Sequence, residues 1–339
     1  MDLSAFRTLE PLCWRAPSAH NTQPWRLRYE PDAIRVGWDP DQALKAADPT
    51  GRDLRLSLGA FVETCLIVAA DAGLRLEYVA DHDDRNRRVG WLRPARYRYR
   101  TSFRATDVWE RRTDRGRFAG APGGDALAVV DLVARQAGGG VRAVPRAGRL
   151  GGLLRVADRR LYADPAVVAE LRHWLRLDPA HPDYHADGLS DRCLDLSRPA
   201  AAGLRAALGA YPVLRPLGLP RLLAAAGGDP LARGGAVLAL IAPDGLDEAG
   251  EVEFGRVLLR VWLTLHAAGL AAHPLSQLID VAATRTALGA LLGVAPERLL
   301  HVARVGRPIR AAPRSARRVG GGGRDLGPVR TGGSARTTR

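Results

Sequence analysis

The chain has 339 residues, 46% of them hydrophobic, and a formal net charge of +14. That length suits one large domain or two ordinary ones with a real core. No run of about 18 apolar residues occurs and Met1 to Glu10 has no apolar h-region, so neither a membrane span nor a secretory signal is expected.

Cys13, Cys65 and Cys193 lie far apart in sequence with no C-x-x-C spacing. The pattern points to a reducing cytoplasm and away from structural zinc or a disulfide framework. The positive charge is unevenly placed. From Arg314 onward there are seven arginines and one aspartate, so +6 of the +14 sits in the tail and +8 in the body. Lys45 is the sole lysine, and no aromatic-rich basic strand of the RNA-recognition type occurs. A scattered arginine surface fits an anionic cofactor or cosubstrate better than a specific nucleic acid; the tail fits nonspecific attraction at most.

In chain order, Leu3 to Trp14 has helical apolar spacing. Next comes Arg15-Ala16-Pro17-Ser18-Ala19-His20-Asn21-Thr22-Gln23-Pro24-Trp25. The two prolines fix φ and remove backbone donors, so the stretch is a polar loop. Asn and Gln each offer a donor beside an acceptor, a pairing that suits a flat heterocycle. A capped helix end, with Ser18 or Asn21 as cap, explains the same residues without a ligand. Trp25 to Trp38 alternates about Glu30-Pro31-Asp32 and predicts a hairpin. Asp53 to Ala72 predicts a helix with one apolar side, closed by Gly73. Leu74 to Ala80 and Val89 to Tyr99 read as strands.

Trp109 to Phe118 places Arg111, Arg112 and Arg115 around Thr113. Guanidinium forks beside a hydroxyl make a phosphate clamp, although a charged helix start reads alike. Helices follow at Ala126 to Ala137, Leu150 to Arg160 and Pro165 to Leu175, with a strand at Val141 to Val144. Prolines punctuate 177–230, which reads as a lid or insertion. Gly235 to Ala242 is a buried strand, Glu251 to Ala268 a second strong helix ending at Gly269, and Leu299 to Val305 another buried strand. Between them lie a turn at Pro274 to Ile279 and a helix at Ala283 to Leu292. Gly320 onward has a disordered composition.

The loop A-P-S-x-x-N-x-Q-P-W resembles the flavin-contacting motif of the FMN-dependent nitroreductase family. Arg111-Arg112-Thr113-Asp114-Arg115 resembles that family's R-x-S-x-R phosphate run. In an ordinary family chain the basic run precedes the loop; here it follows, and neither motif recurs. The helix, Gly-Leu, strand order occurs twice, at Gly73-Leu74 and Gly269-Leu270. The resemblance is therefore to the Acg-like branch, in which one chain mimics a homodimer. It implies an α+β, three-layer nitroreductase-like fold. Residues 1–104 form the half with the flavin ring loop, and 105–318 form the half with the phosphate clamp and the 177–230 lid. A basic tail at 319–339 follows, and the whole acts as a monomer.

By that resemblance, Pro17, Ser18, Asn21 and Gln23 reach the flavin ring and ribityl, and Arg111, Arg112, Thr113 and Arg115 hold its phosphate. Pro274, Leu275, Ser276 and Gln277 face the reactive N5, with Ser276-Gln277 in place of the usual Glu-Gly. Arg314 matches a C-terminal basic residue near the phosphate. The implied activity is ping-pong NAD(P)H-dependent reduction of a flat acceptor such as a nitroaromatic or quinone. No catalytic side chain is required. The alternative is a flavin-binding or storage protein whose lid covers the ring. No metal is expected: His181-Pro182-Asp183-Tyr184-His185 lacks ligands and Pro182 spoils a helix. No P-loop, strand-linked G-x-G-x-x-G or G-x-S-x-G is present.

Overall fold

The structure, a computed structural model, describes residues 3–145 and 149–318. The expected basic tail at 319–339 lies outside them.

The first unit is a four-stranded antiparallel sheet. The hairpin Trp25–Tyr29 (β1) and Ile34–Trp38 (β2) is continued by Leu76–Asp83 (β3) and Arg88–Pro94 (β4), in the order β1-β2-β4-β3. Leu3 to Trp14, expected as one helix, forms two short turns, Ser4–Arg7 and Glu10–Cys13. Pro11 cannot donate to a preceding turn, so the helix restarts there. Across this sheet lies the helix Arg52–Asp71 (α1), which exits through Gly73 at φ 83°. Its sequence suggests one apolar side, yet every residue from Leu56 to Ala70 is buried. A helix buried all round needs cover on both sides.

The second unit supplies that cover. After Ala105–Glu110 (α2) and Gly124–Arg135 (α3) come Gly140–Val144 (β5), Ala236–Ile241 (β6), Ala271–Pro274 (β7) and Leu299–Gly306 (β8). These form a second four-stranded antiparallel sheet, in the order β5-β6-β8-β7. Its long helix, Glu248–Ala267, is α9; between α3 and α9 lie Arg149–Ala163 (α4), Pro165–Trp174 (α5), Arg198–Gly209 (α6), Tyr211–Leu214 (α7) and Leu219–Ala226 (α8). Asp247 caps α9 by accepting from the Gly250 amide at 2.7 Å, and the helix exits through Gly269 at φ 69°.

α1 and α9 pack backbone to backbone. A Cβ on Gly59 would sit 1.9 Å from the Val252 carbonyl oxygen, and one on Gly255 would sit 2.3 Å from that of Leu56. Each glycine is the eighth residue of its helix. The polar group in this contact is matched: buried Glu63 accepts from Arg256 Nε at 2.9 Å and from the Tyr99 hydroxyl at 2.6 Å. A buried carboxylate so paired avoids the cost of an isolated one. Cys13 and Cys65, remote in sequence, meet as free buried thiols.

Residues 177–230 join neither sheet. Leu175–Arg176 and Leu189–Ser190 make a short parallel pair, and α5, α6, α7 and α8 share a separate core around Val168, Leu208, Tyr211 and Leu223. Two short helices, Gln277–Asp280 (α10) and Ala282–Leu292 (α11), follow β7.

Candidate functional site

The loop before β1 is held in an uncommon backbone. His20, Asn21 and Gln23 have φ of 45°, 57° and 55°. Such left-handed residues cost free energy and persist only where the surroundings over-determine them. Here the Ser18 hydroxyl accepts from the Gln23 amide at 3.0 Å, and the Ser57 hydroxyl of α1 accepts from the Ala19 amide at 3.2 Å. Trp25 anchors the far end, fully buried and stacked on Phe61 of α1 at 4.6 Å.

The side chains of the loop are also engaged. Asn21 Nδ2 donates to the carbonyls of Gly188 and Ala316 at 3.1 and 3.0 Å, and Asn21 Oδ1 accepts from Arg317 at 2.7 Å. Gln23 Nε2 donates to the Ala186 carbonyl at 2.9 Å, and its Oε1 accepts from the Arg318 amide at 3.1 Å. The loop thereby latches both the 186–188 segment and the C-terminal strap.

These elements enclose a cavity of about 340 Å³, in the range of small-molecule sites. Of the sequence candidates, Pro17, Ser18, Asn21, Arg111, Thr113, Arg115, Pro274, Ser276 and Gln277 line it. Gln23, Arg112, Leu275 and Arg314 do not. Gln23 is fully buried in the bonds just described. Leu275 is also fully buried, and its amide donates to the Val302 carbonyl at 2.8 Å. Arg112 donates to the Ala312 carbonyl and lines a second cavity. Arg314 is exposed and lies over the Trp109 ring at 4.3 Å.

The reason is shared. The 111–115 run is no helix start: α2 ends at Glu110, and Thr113 bridges Ala272 of β7 in parallel. Extended chain alternates its faces, so Arg111, Thr113 and Arg115 meet the cavity while Arg112 points elsewhere. Arg304, buried in β8, pins this run by donating to the Gly116 carbonyl at 2.7 Å and stacking on Phe118 at 4.2 Å. In the strap the same alternation presents Ser315 and Arg317 rather than Arg314.

The cavity is lined by charges of both signs. Arg111 is 8% exposed, and its guanidinium has no hydrogen-bond or ion-pair partner among the described residues; it lies 5.2 Å over the Trp262 ring. Burial, with Arg15 adding repulsion, pulls its pKa down to about 10. Arg115 donates to the Cys193 carbonyl at 3.1 Å, and Arg317 to backbone carbonyls and Asn21. Burial lowers the pKa of both, and Arg15 and Arg111 lower that of Arg317 further. None of the three has a carboxylate partner among the described residues.

Three carboxyls border the same space: Asp53, Asp158 and Asp280. Arg52 of α1 bridges Asp53 and Asp280 at 2.7 and 2.5 Å. Burial and the neighbouring Asp53 push the Asp280 carboxyl up. Asp158 of α4 has no cation partner among the described residues. Burial pushes it up to about 6, against a hydrogen bond from Gln277. Three histidines complete the lining. Burial lowers His20 and takes His301 down to about 4, and burial with Arg115 lowers His273, so all three favour the neutral ring. His20 Nδ1 and His301 Nε2 are buried without a hydrogen-bond partner. Leu161, Tyr162, Val168 and Leu171 of α4 and α5 form an apolar wall.

Sequence reasoning missed Arg317, Asp158 and the histidines. His20 lies inside the loop motif and was within reach. Nothing local marks Asp158, an acid in an amphipathic helix.

No family model matches the sequence. The chain is 30% identical over 323 residues to a protein of Mycobacterium tuberculosis (strain H37Rv) named "Putative NAD(P)H nitroreductase Rv3131", covering 92% of this chain and 88% of the relative. It is also 40% identical over 62 residues to "Putative NAD(P)H nitroreductase acg" of the same strain, 18% of this chain and 19% of that one. Among solved structures, the FMN-dependent nitroreductase NfnB of Mycobacterium smegmatis, in complex with NADPH, aligns with 61% of this chain and 87% of its own at 22% identity, with a TM-score of 0.34. A nitroreductase-like family protein of Bacillus cereus aligns with 65% and 94% at 11% identity, with a TM-score of 0.32. By its 30% identity to the Rv3131 protein over 92% of its length, the chain belongs to the NAD(P)H nitroreductase family.

Proposed function

We propose that the cavity holds FMN and that the chain is an NAD(P)H-dependent oxidoreductase for a flat acceptor such as a nitroaromatic or quinone. The observation that carries this reading is Arg111, a buried guanidinium without a counter-charge among the described residues. A buried cation of this kind calls for an anion. Arg115, Arg317 and the hydroxyls of Thr113 and Ser315 face the same space and suit a phosphate. The apolar wall and the Pro17–Ser18 and Pro274–Gln277 segments suit a planar ring. Bound flavin supplies hydride chemistry, and the protein supplies binding, orientation and exclusion of water.

On this reading the two sheet units stand in for two subunits. Residues 1–104 bring the ring loop and 105–318 the phosphate clamp, with one FMN per chain. The purified protein should show a flavin spectrum and a saturated FMN-to-chain ratio near one. FMN should bind much more tightly than riboflavin, which lacks the phosphate. A saturated ratio of two, or equal affinity for riboflavin, would refute the proposal.

One observation favours a second reading. The 186–188 segment is tied to Asn21, Gln23 and, through Asp187, to Arg318, which fixes it beside Leu189 of the cavity lining. A flavin covered by that segment would be stored rather than turned over. Anaerobic NADPH decides between them: bleaching of bound flavin marks an enzyme, persistent yellow colour a flavin store.

A further inference from the structure

Away from the cavity, one surface carries large aliphatic side chains in solvent. The turn Arg215–Leu217 touches both α7 and α8. Within this short stretch Val213 is 73% exposed, Leu217 79% and Leu222 65%. The inward positions are already filled, because Tyr211, Leu219 and Leu223 belong to the buried core of this region. The outward set is therefore surplus to folding. Exposed aliphatics grouped in this way, unlike scattered single ones, mark an interaction surface.

The stretch itself carries charge of one sign, with the exposed acids Asp164 and Asp229 just outside it. From Arg198 to Gly228 the chain has four arginines and no carboxylate. Arg198, Arg215 and Arg221 are exposed and have no ion-pair partner among the described residues, while Arg205 pairs with Asp178. α4 packs beside α8 and adds Arg155, Arg159 and Arg160, all exposed. The acid of that helix, Asp158, lines the cavity instead.

We propose that this face docks on an anionic lipid surface. Val213, Leu217 and Leu222 enter the boundary between headgroups and acyl chains, and the arginines meet lipid phosphates. No described helix is long and apolar enough to cross a bilayer, so the contact is one of lying on the surface. A second copy of the chain fits the face poorly. A two-fold contact would set Arg215 and Arg221 against themselves, with no carboxylate in the stretch to relieve the repulsion. A nucleic acid would use the arginines but leave the aliphatics against phosphates, and no exposed aromatic ring in the stretch offers a base a stacking partner. A bilayer uses both features at once. The inference does not depend on what the cavity binds.

The test uses the full-length protein sedimented with phosphatidylcholine vesicles, with and without phosphatidylglycerol. Retention is expected on the anionic vesicles, weakening as salt is raised. Val213→Asp and Leu217→Asp should each weaken it about tenfold. Both side chains are exposed, so thermal melting should be unchanged. Arg215→Ala with Arg221→Ala should reduce the preference for anionic over neutral vesicles. The arginine-rich 319–339 segment is intact in all of these variants. Retention that survives the two aspartate substitutions would therefore assign the attraction to that segment and overturn the proposal. Absence of retention on anionic vesicles would overturn it too. So would a dimer on size exclusion that Leu217→Asp dissociates, or a duplex DNA complex that the same substitution abolishes, when vesicle binding is not seen.

Discussion

The two four-stranded units follow one plan and use their polar groups in opposite ways. In the first, the loop from Pro17 to Gln23 reaches the cavity with its amides already committed: every polar atom of the Asn21 side chain is bonded within the protein. In the second, the run from Arg111 to Arg115 arrives with a buried guanidinium that meets only a tryptophan face. On the proposed reading the first unit shapes a wall, and the second supplies the cation for the ligand. Motif residues of one apparent kind divide into those that hold the site and those that wait for something to enter it.

The helix crossing tests whether the two units are equivalent at all. Gly59→Ala and Gly255→Ala each drive a Cβ into a facing carbonyl. Each should cost about 3 kcal/mol or more, since backbone cannot move aside as a side chain can. Chemical denaturation measures both. A large loss at one glycine and none at the other would break the symmetry of the comparison.

Arg111→Ala probes the ligand-seeking side. Loss of a charge-assisted contact should weaken FMN binding by about 1.5–3 kcal/mol. The FMN-free protein should not melt lower, because the substitution removes an uncompensated buried charge. FMN titration and thermal melting of the same variant give both answers. Unchanged FMN affinity would remove the phosphate assignment.

Asn21→Ala probes the wall. Three hydrogen bonds are lost and the carbonyls of Gly188 and Ala316 lose their donor, so the FMN-free protein should lose about 1–2 kcal/mol. This differs from a loop residue reserved for a flavin edge, which would leave the FMN-free protein as stable as before. Melting of the FMN-free variant distinguishes a holding residue from a ligand contact.

Asp158→Asn has the smallest expected effect and depends on pH. Burial raises the folded pKa of Asp158 to about 6, above the unfolded carboxyl value. Protonation therefore favours the folded state. The cost of the ionised carboxyl is absent below the unfolded pKa, grows as pH rises and is complete above about 6. Asparagine avoids that cost. The variant should be more stable at pH 7 by on the order of 1 kcal/mol, after allowance for partial solvent screening. The gain should vanish toward pH 4. A pH-independent difference would mean that packing, rather than titration, sets it.

Much of this architecture was legible in the residues. Apolar spacing located both long helices, Gly73 and Gly269 marked their ends, and alternation around Glu30-Pro31-Asp32 located the hairpin. The full burial of α1 was not legible, because a single helix cannot show that a second one will cover its other face. The separate core around residues 177–230 was hidden similarly: the prolines of that stretch read as a lid or insertion, whereas α6, α7 and α8 pack with α5 around one core.

At the site, local chemistry determined which stretches matter. Prolines at 17 and 24 enforce a loop, and a density of guanidiniums after Glu110 calls for an anion. Which member of each stretch faces the cavity was decided by tertiary structure. Neighbouring residues of an extended chain point to opposite sides, so Arg111 and Arg112, or Arg314 and Arg317, are interchangeable in composition and opposite in place. Tertiary contacts such as the pairing of Thr113 with Ala272, and the strap held by Arg15 and Asn21, set that register. Those partners lie between about 160 and 300 residues apart along the chain, and no local pattern encodes a contact across that distance.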